Sequence, residues 1–198
     1  MKSTQKHLPV IVAGLILAFT SVSCSKKDDP VVVKPAESSP VNKTFFLNTP
    51  VTITASGSGN YEYGMKFTVT QNGKVTKLAS RMPDAGTYRI TLWDASVTPK
   101  VVLGSANITQ GAGELKYEAI SPASLTTGKD YLVSVWSSGR WYDIRPSLSA
   151  SFTYPISIGS ISLKGYQWVG TPSSPQTFPT NAETTYVAGL ADFEFQPD

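Results

Sequence analysis

The stretch Gly86-Thr87-Tyr88-Arg89-Ile90-Thr91-Leu92-Trp93-Asp94 constrains the fold of this chain more than any other feature. Tyr88, Ile90 and Leu92 fall on one face and Thr87, Arg89 and Thr91 on the other, the period of two that a half-buried strand requires. The same grammar recurs along the chain. Val51 to Thr54 is a short alternating strand, and Met65, Phe67 and Val69 alternate with Lys66, Thr68 and Thr70. Asn72-Gly73 supplies the positive φ angles of a tight hairpin turn, so Lys74 to Ala79 are expected to return antiparallel on the preceding strand. Strands are further expected from Val101, through Leu115 to Ala119, over Tyr131–Trp136, over Ser149–Tyr154 and Ile156–Leu163 on either side of Pro155, and over Thr185–Phe195. No helical periodicity of useful length appears. Many short strands at this spacing predict an all-β fold, an antiparallel β-sandwich or barrel.

The residue inventory excludes several chemistries. Cys24 is the only cysteine and His7 the only histidine, and His7 lies in the apolar leader. A mature chain without His, whose one Cys is acylated, has no Ser-His-Asp or Cys-His mechanism and no His/Cys zinc site. The formal charge of +3 also overstates the mature protein. Residues 1–23 carry Lys2 and Lys6 and no acid, and residues 24–43 carry four Lys against three acids, so residues 44–198 are neutral. A neutral domain lacks the basic field that a phosphate backbone needs, and nucleic acid is not expected as a partner.

Residues 1–23 read as a secretory signal peptide: Lys2 and Lys6 precede an apolar run from Leu8 to Phe19, too short for a membrane span. The run ends in Ser21-Val22-Ser23-Cys24, which resembles a bacterial lipobox, although Ser21 stands where Leu is usual. The resemblance implies cleavage before Cys24 and acylation of that residue. Ser25-Lys26-Lys27-Asp28-Asp29 looks like the Lys/acid signal that sends lipoproteins to the outer face of the outer membrane in Gram-negative bacteria. Residues 24–43, with Pro30, Pro35 and Pro40, are expected to be a lipid-anchored flexible tether without a core of its own. The folded domain is expected over 44–198.

Within that domain a further resemblance appears. Gly64-Met65-Lys66-Phe67, Leu92-Trp93-Asp94, Gly128 before Tyr131-Leu132-Val133-Ser134, Gly139-Arg140-Trp141-Tyr142, Phe178-Pro179-Thr180 and Tyr186-Val187 before Asp192-Phe193 stand in an order that resembles a bacterial extracellular family catalogued as a domain of unknown function. The chain departs from that family at Ala95 to Pro99, where a Gly is usual soon after Trp-Asp, and at Glu114 and Leu115, where a Trp is usual. The resemblance implies a jelly-roll-like sandwich, found beside glycan-active or adhesive modules on bacterial surfaces, and transfers no catalytic residue.

The candidate ligand site is Trp136, Arg140, Trp141, Tyr142, Asp143 and Arg145. Flat rings stack on the C–H faces of sugars while nearby charges reach the hydroxyls; the competing reading is that Trp136 and Trp141 cap one end of the sandwich. If Tyr131, Val133 and Val135 face the core, alternation puts Trp136 on the outside. Asp94 is expected to close an Asx-turn. The carboxylates Asp84, Asp130, Asp143 and Asp192 fall near predicted strand ends, where a sandwich holds structural Ca²⁺, but no loop has a dense acidic spacing, and no cofactor is expected. These readings converge on a surface lipoprotein that binds glycan or a related extracellular ligand without chemistry. The alternative is a structural or adhesive subunit contacting another protein.

Overall fold

The computed structural model describes residues 34–48, 50–170 and 176–198. The expected signal peptide, Cys24 and the tether up to residue 33 lie outside the described residues, as do residues 49 and 171–175. Strands β1 (Glu37–Ser38), β14 (Ala191–Pro197), β4 (Gly73–Ser80) and β7 (Lys116–Leu125) form one sheet in that spatial order. A larger sheet runs β10 (Ile156–Ile158), β11 (Ile161–Gly170), β3 (Tyr61–Val69), β8 (Tyr131–Ser137), β5 (Gly86–Asp94), β6 (Val101–Gln110), with β12 (Asn181–Glu183) also paired to β11. A third sheet, β13 (Val187–Ala188), β9 (Trp141–Pro146) and β2 (Val51–Ser56), contributes Ile144 and Val187 to the core. Every described pairing is antiparallel. The protein is an all-β sandwich.

Alternation places the core as the sequence leads one to expect. Met65, Phe67, Ile90, Leu92, Tyr131, Val133 and Val135 are all buried on the inner face of the large sheet. Phe67 of β3 stacks on Phe193 of β14 with ring centroids 4.4 Å apart, joining the two sheets at the centre. Trp93 and Leu132, on the outer face of the same sheet, are buried as well, against Ala95 and the chain around Phe178. The outer face is therefore not simply solvated. Asp94 accepts the N–H of Ser96 at 2.9 Å and closes the turn after β5, the Asx geometry expected of it.

Asn72-Gly73 is not a hairpin. β3 and β4 belong to different sheets, so Lys74 to Ala79 cross to the opposite layer and pair with β14 and β7. Asn72 serves the crossover with its side chain: Oδ1 accepts the N–H of Thr127 at 2.9 Å and its hydroxyl at 3.1 Å, and the Asn72 carbonyl accepts the N–H of Asp198 at 3.0 Å. Gly73 is required for packing rather than for a turn, because a Cβ there would land on the Gln196 carbonyl and 2.6 Å from the Phe195 ring.

Two other strands differ from expectation. Ser149 to Tyr154 form no strand, while residues 141–146, which hold four of the six candidate ligand residues, are strand β9. The C-terminal strand is broken at Gly189, whose φ of 62° lies in the left-handed region.

The packed domain also takes in residues assigned to the tether. Glu37 and Ser38 pair with Phe195 and Glu194, and Pro40–Asn42 make a helical turn that widens into a π-helical turn at Lys43–Asn48. Pro40 stands at the first helical position, where its fixed φ suits a helix and its missing N–H costs nothing. Val41 and Phe45 are buried in the core. Pro40, one of the three prolines that suggest an extended spacer, starts a helical turn instead.

Candidate functional site

The six candidate residues do not form one site. Trp136 lies on the outer face of the large sheet, in register with Glu62 on β3 and Arg89 on β5. Arg140 is in the turn before β9, its guanidinium forked on the Asp84 carboxylate, with Nε 3.1 Å from Oδ2 and Nη2 on Oδ1. That hydrogen bond holds the Asp84 carboxyl below its usual value. Along β9, Trp141, Asp143 and Arg145 share one face and Tyr142 and Ile144 the other. Tyr142 packs edge-on against Phe46 at 5.3 Å, and Ile144 is wholly buried.

Trp141 sits in an array of rings. Its centroid is 5.3 Å from Tyr61 and 5.3 Å from Tyr63; Tyr61 stacks on Tyr63 at 5.6 Å and meets Trp168 edge-on at 6.1 Å. Strand order explains the gathering. Tyr61 and Tyr63 are successive inward positions at the start of β3, Trp168 is directly paired with Tyr63 on β11, and Trp141 opens β9 beside them. Trp141 covers Gly57, where a Cβ would overlap the indole. Tyr61, Trp141 and Trp168 are each half-buried, so each ring keeps part of its surface in solvent. Next to them, Arg145 bonds Asp143 at 2.9 Å and lies 5.2 Å over the Tyr186 ring.

A second cluster lies beneath Gln176 to Phe178 on the outer face. Trp93 Nε1 donates to Ser134 Oγ at 2.9 Å, and Ser134 donates to Glu62 Oε1 at 2.5 Å. Glu62 Oε2 accepts the backbone N–H of Gln176 at 3.0 Å. The Gln176 amide oxygen, turned toward Arg89, accepts from its Nη2 at 2.7 Å and Nε at 3.2 Å. Phe178 meets Trp93 edge-on at 5.6 Å. Burial raises the Glu62 carboxyl to about 7, against the Ser134 and backbone hydrogen bonds and the Arg89 charge that favour its ionised form. A carboxyl of that pKa hydrogen-bonded to a serine has the look of a base and a nucleophile. Both side chains are wholly buried, however, and no substrate reaches either in this arrangement. The cluster fastens residues 176–178 to the sheet.

The sequence reading passed over Tyr61, Trp168, Tyr186 and Glu62. Tyr61 and Tyr63 carry the inward phase of β3, which was legible, but that phase does not say which residues end up at a rim. Glu62 has the outward phase and reads as solvated; only the return of residues 176–178 buries it. The four acids considered for Ca²⁺ are apart and engaged: Asp84 with Arg140, Asp130 with Lys66 at 2.8 Å, Asp143 with Arg145, and Asp192 with backbone N–H groups. Among the described residues no three of His, Cys, Asp and Glu converge on a common point, and no helix is long and apolar enough to cross a membrane.

No protein-family model matches the chain, and no curated protein is significantly similar to it.

Proposed function

We propose that the protein is a non-catalytic lipoprotein, anchored through Cys24 at the outer face of a Gram-negative outer membrane, whose sandwich binds extracellular glycan at the ring array of Tyr61, Trp141 and Trp168. The array is the observation that carries this reading. Three half-exposed rings in contact, with the Arg145–Asp143 pair and Tyr186 alongside, provide stacking surface and hydrogen-bonding groups together, the combination a pyranose requires. The placement also suits an anchored binder. Lys34 bonds Gln71 and the Asp198 carbonyl, each at 2.6 Å, so the N-terminal segment joins the domain beside the turn that ends β3. Tyr61 is at the other end of that nine-residue strand, about 26 Å away along an extended backbone.

The test is a glycan array with lipid-free protein starting at residue 25, which keeps the packed segment from Lys34. Wild type is compared with Trp168→Ala and Trp141→Ala. Saturable binding lost in both variants supports the site; binding that both retain moves it elsewhere. Protease added to intact cells should remove the domain, and resistance that ends only on lysis would overturn the outward orientation.

A protein-contact reading has one observation of its own. β2, Val51-Thr52-Ile53-Thr54-Ala55-Ser56, is an edge strand with neither charge nor proline to discourage pairing with another chain. A silent glycan array together with crosslinked partners on cells would favour it.

A further inference from the structure

We propose a second ligand site, for an acidic sugar, in the gap that interrupts the outer edge of β11. β10 pairs with β11 only through Leu163, and β12 resumes pairing at Tyr166, so Lys164 and Gly165 have no strand neighbour on that edge. The gap opens as a groove of about 390 Å³, a volume suited to a mono- or disaccharide. Tyr61, Trp141 and Trp168 do not line it, so this site stands independently of the ring array.

The lining carries the chemistry. The half-buried Tyr154 supplies ring surface on which the C–H face of a pyranose packs, with Phe152 buried beside it against Phe45. Gly165 leaves the floor open, since a Cβ built there meets nothing within 4 Å. Gln167 also lines the groove, but its amide oxygen is covered and takes no part in recognition.

The preference for an acid comes from Lys164. Lys66 is neutralised by Asp130 at 2.8 Å. Glu183 spends one oxygen on three donors, the N–H of Thr184 at 2.8 Å and the N–H and hydroxyl of Thr185, each at 2.7 Å. Those bonds, the Thr185 N–H foremost, keep its carboxyl below the ordinary value, so it is fully ionised at neutral pH. Lys164 is exposed and makes no ion pair among the described residues. One lining thus holds an ammonium with no ion pair among the described residues, an ionised carboxylate and the Tyr154 ring, a set that fits a uronic acid: its carboxylate meets Lys164 and its hydroxyls reach Glu183.

Calorimetric titration of the full chain in detergent with trigalacturonate, beside the neutral galactotriose, tests this. Trigalacturonate is expected to bind and galactotriose to bind at least about threefold more weakly, the scale of one partly exposed ion pair. Lys164→Glu should weaken trigalacturonate by about tenfold, since attraction becomes repulsion. Ala182→Trp, an exposed position on β12 whose indole fills the groove, should abolish binding while circular dichroism stays unchanged. Trp141→Ala should leave trigalacturonate binding intact. Equal affinity for the two trimers, no binding at all, or full binding by Ala182→Trp overturns the site. Loss in Trp141→Ala with retention in Lys164→Glu would assign the acid to the ring array instead.

Discussion

Asp192 Oδ2 accepts the backbone N–H of Asn42 at 2.7 Å, across 150 residues of sequence. Its other oxygen takes the N–H of Val41 at 3.2 Å and of Phe193 at 2.9 Å, and the carboxyl is wholly buried. The last strand thereby satisfies the first helical turn, whose leading N–H groups have no partner within the turn. Replacing Asp192 with Ala leaves three amides without their acceptor, and a loss of about 3 kcal/mol is expected in urea unfolding. A chain starting at residue 44 should lose more than one starting at residue 34, because it also gives up Val41 from the core and the pairing of β1 with β14. Equal midpoints for the two chains would show that the segment adds nothing.

Burial raises both Glu62 and Asp192 to about 7, from ordinary values of 4.5 and 3.8. A carboxyl raised in the folded state lends its stability below the ordinary value and loses it as pH climbs toward the folded one. Asp84, Asp94 and Glu183 are shifted downward and behave oppositely, losing theirs as pH falls below about 4. Stability should therefore peak near pH 4 to 5 and decline toward pH 8, by at most about 3 kcal/mol for Glu62 and about 4 kcal/mol for Asp192. Glu62→Gln should reduce the slope between pH 5 and 8, whatever constant offset its amide introduces at Ser134. Urea midpoints at four pH values measure this, and a slope unchanged by the substitution would remove Glu62 as its source.

The crossover at Asn72 gives a third test. Gly73→Ala pushes a methyl into the Gln196 carbonyl and the Phe195 ring, and overpacking of that kind costs about 1 to 3 kcal/mol. Asn72→Ala removes both bonds from Thr127, with an expected cost of about 1 kcal/mol. A true type I′ hairpin would respond differently, since its Asn and Gly are chosen for backbone conformation. Asn72→Gly separates the two: it suits a turn and removes the side-chain acceptor. Stability equal to wild type in Asn72→Gly would contradict the account from the Thr127 bonds.

The alternation of β3, β5 and β8 made the inner face of the large sheet legible residue by residue, because period two is a local property of extended backbone. Sheet membership was not legible. Asn72-Gly73 has the composition of a hairpin, yet nothing local distinguishes a chain that folds back on its own strand from one that crosses to the other layer; contacts with Thr127 and Asp198 decide. The site was half legible for the same reason. Trp141 stood out as an aromatic near charges, but its neighbours Tyr61 and Trp168 come from β3 and β11, and the pairing of Tyr63 with Trp168 brings them together. Trp136, close to Trp141 in sequence, is on the outer face, where Glu62 and Arg89 flank it.

Gly57 carries a prediction about the ring array itself. Its φ of 81° is one that only glycine adopts without strain, and a Cβ there overlaps the Trp141 indole. Gly57→Ala strains the backbone in any case, and to relieve the overlap it must either shift the turn before β3 or push the indole off Tyr61 and Tyr63. The first outcome costs about 1 to 2 kcal/mol and leaves the ring contacts alone. The second changes the tryptophan emission and moves the aromatic resonances of Tyr61 and Tyr63 together. Trp141 has an exposed side toward which to shift, being half-buried, whereas the backbone of the turn is fixed by the pairing of Ser56 with Trp141. The second outcome is expected, with glycan binding by the array weakened about as much as in Trp141→Ala. If Gly57→Ala moves the indole yet leaves glycan binding at wild-type strength, Trp141 is a cap on the sandwich and not a wall of the site.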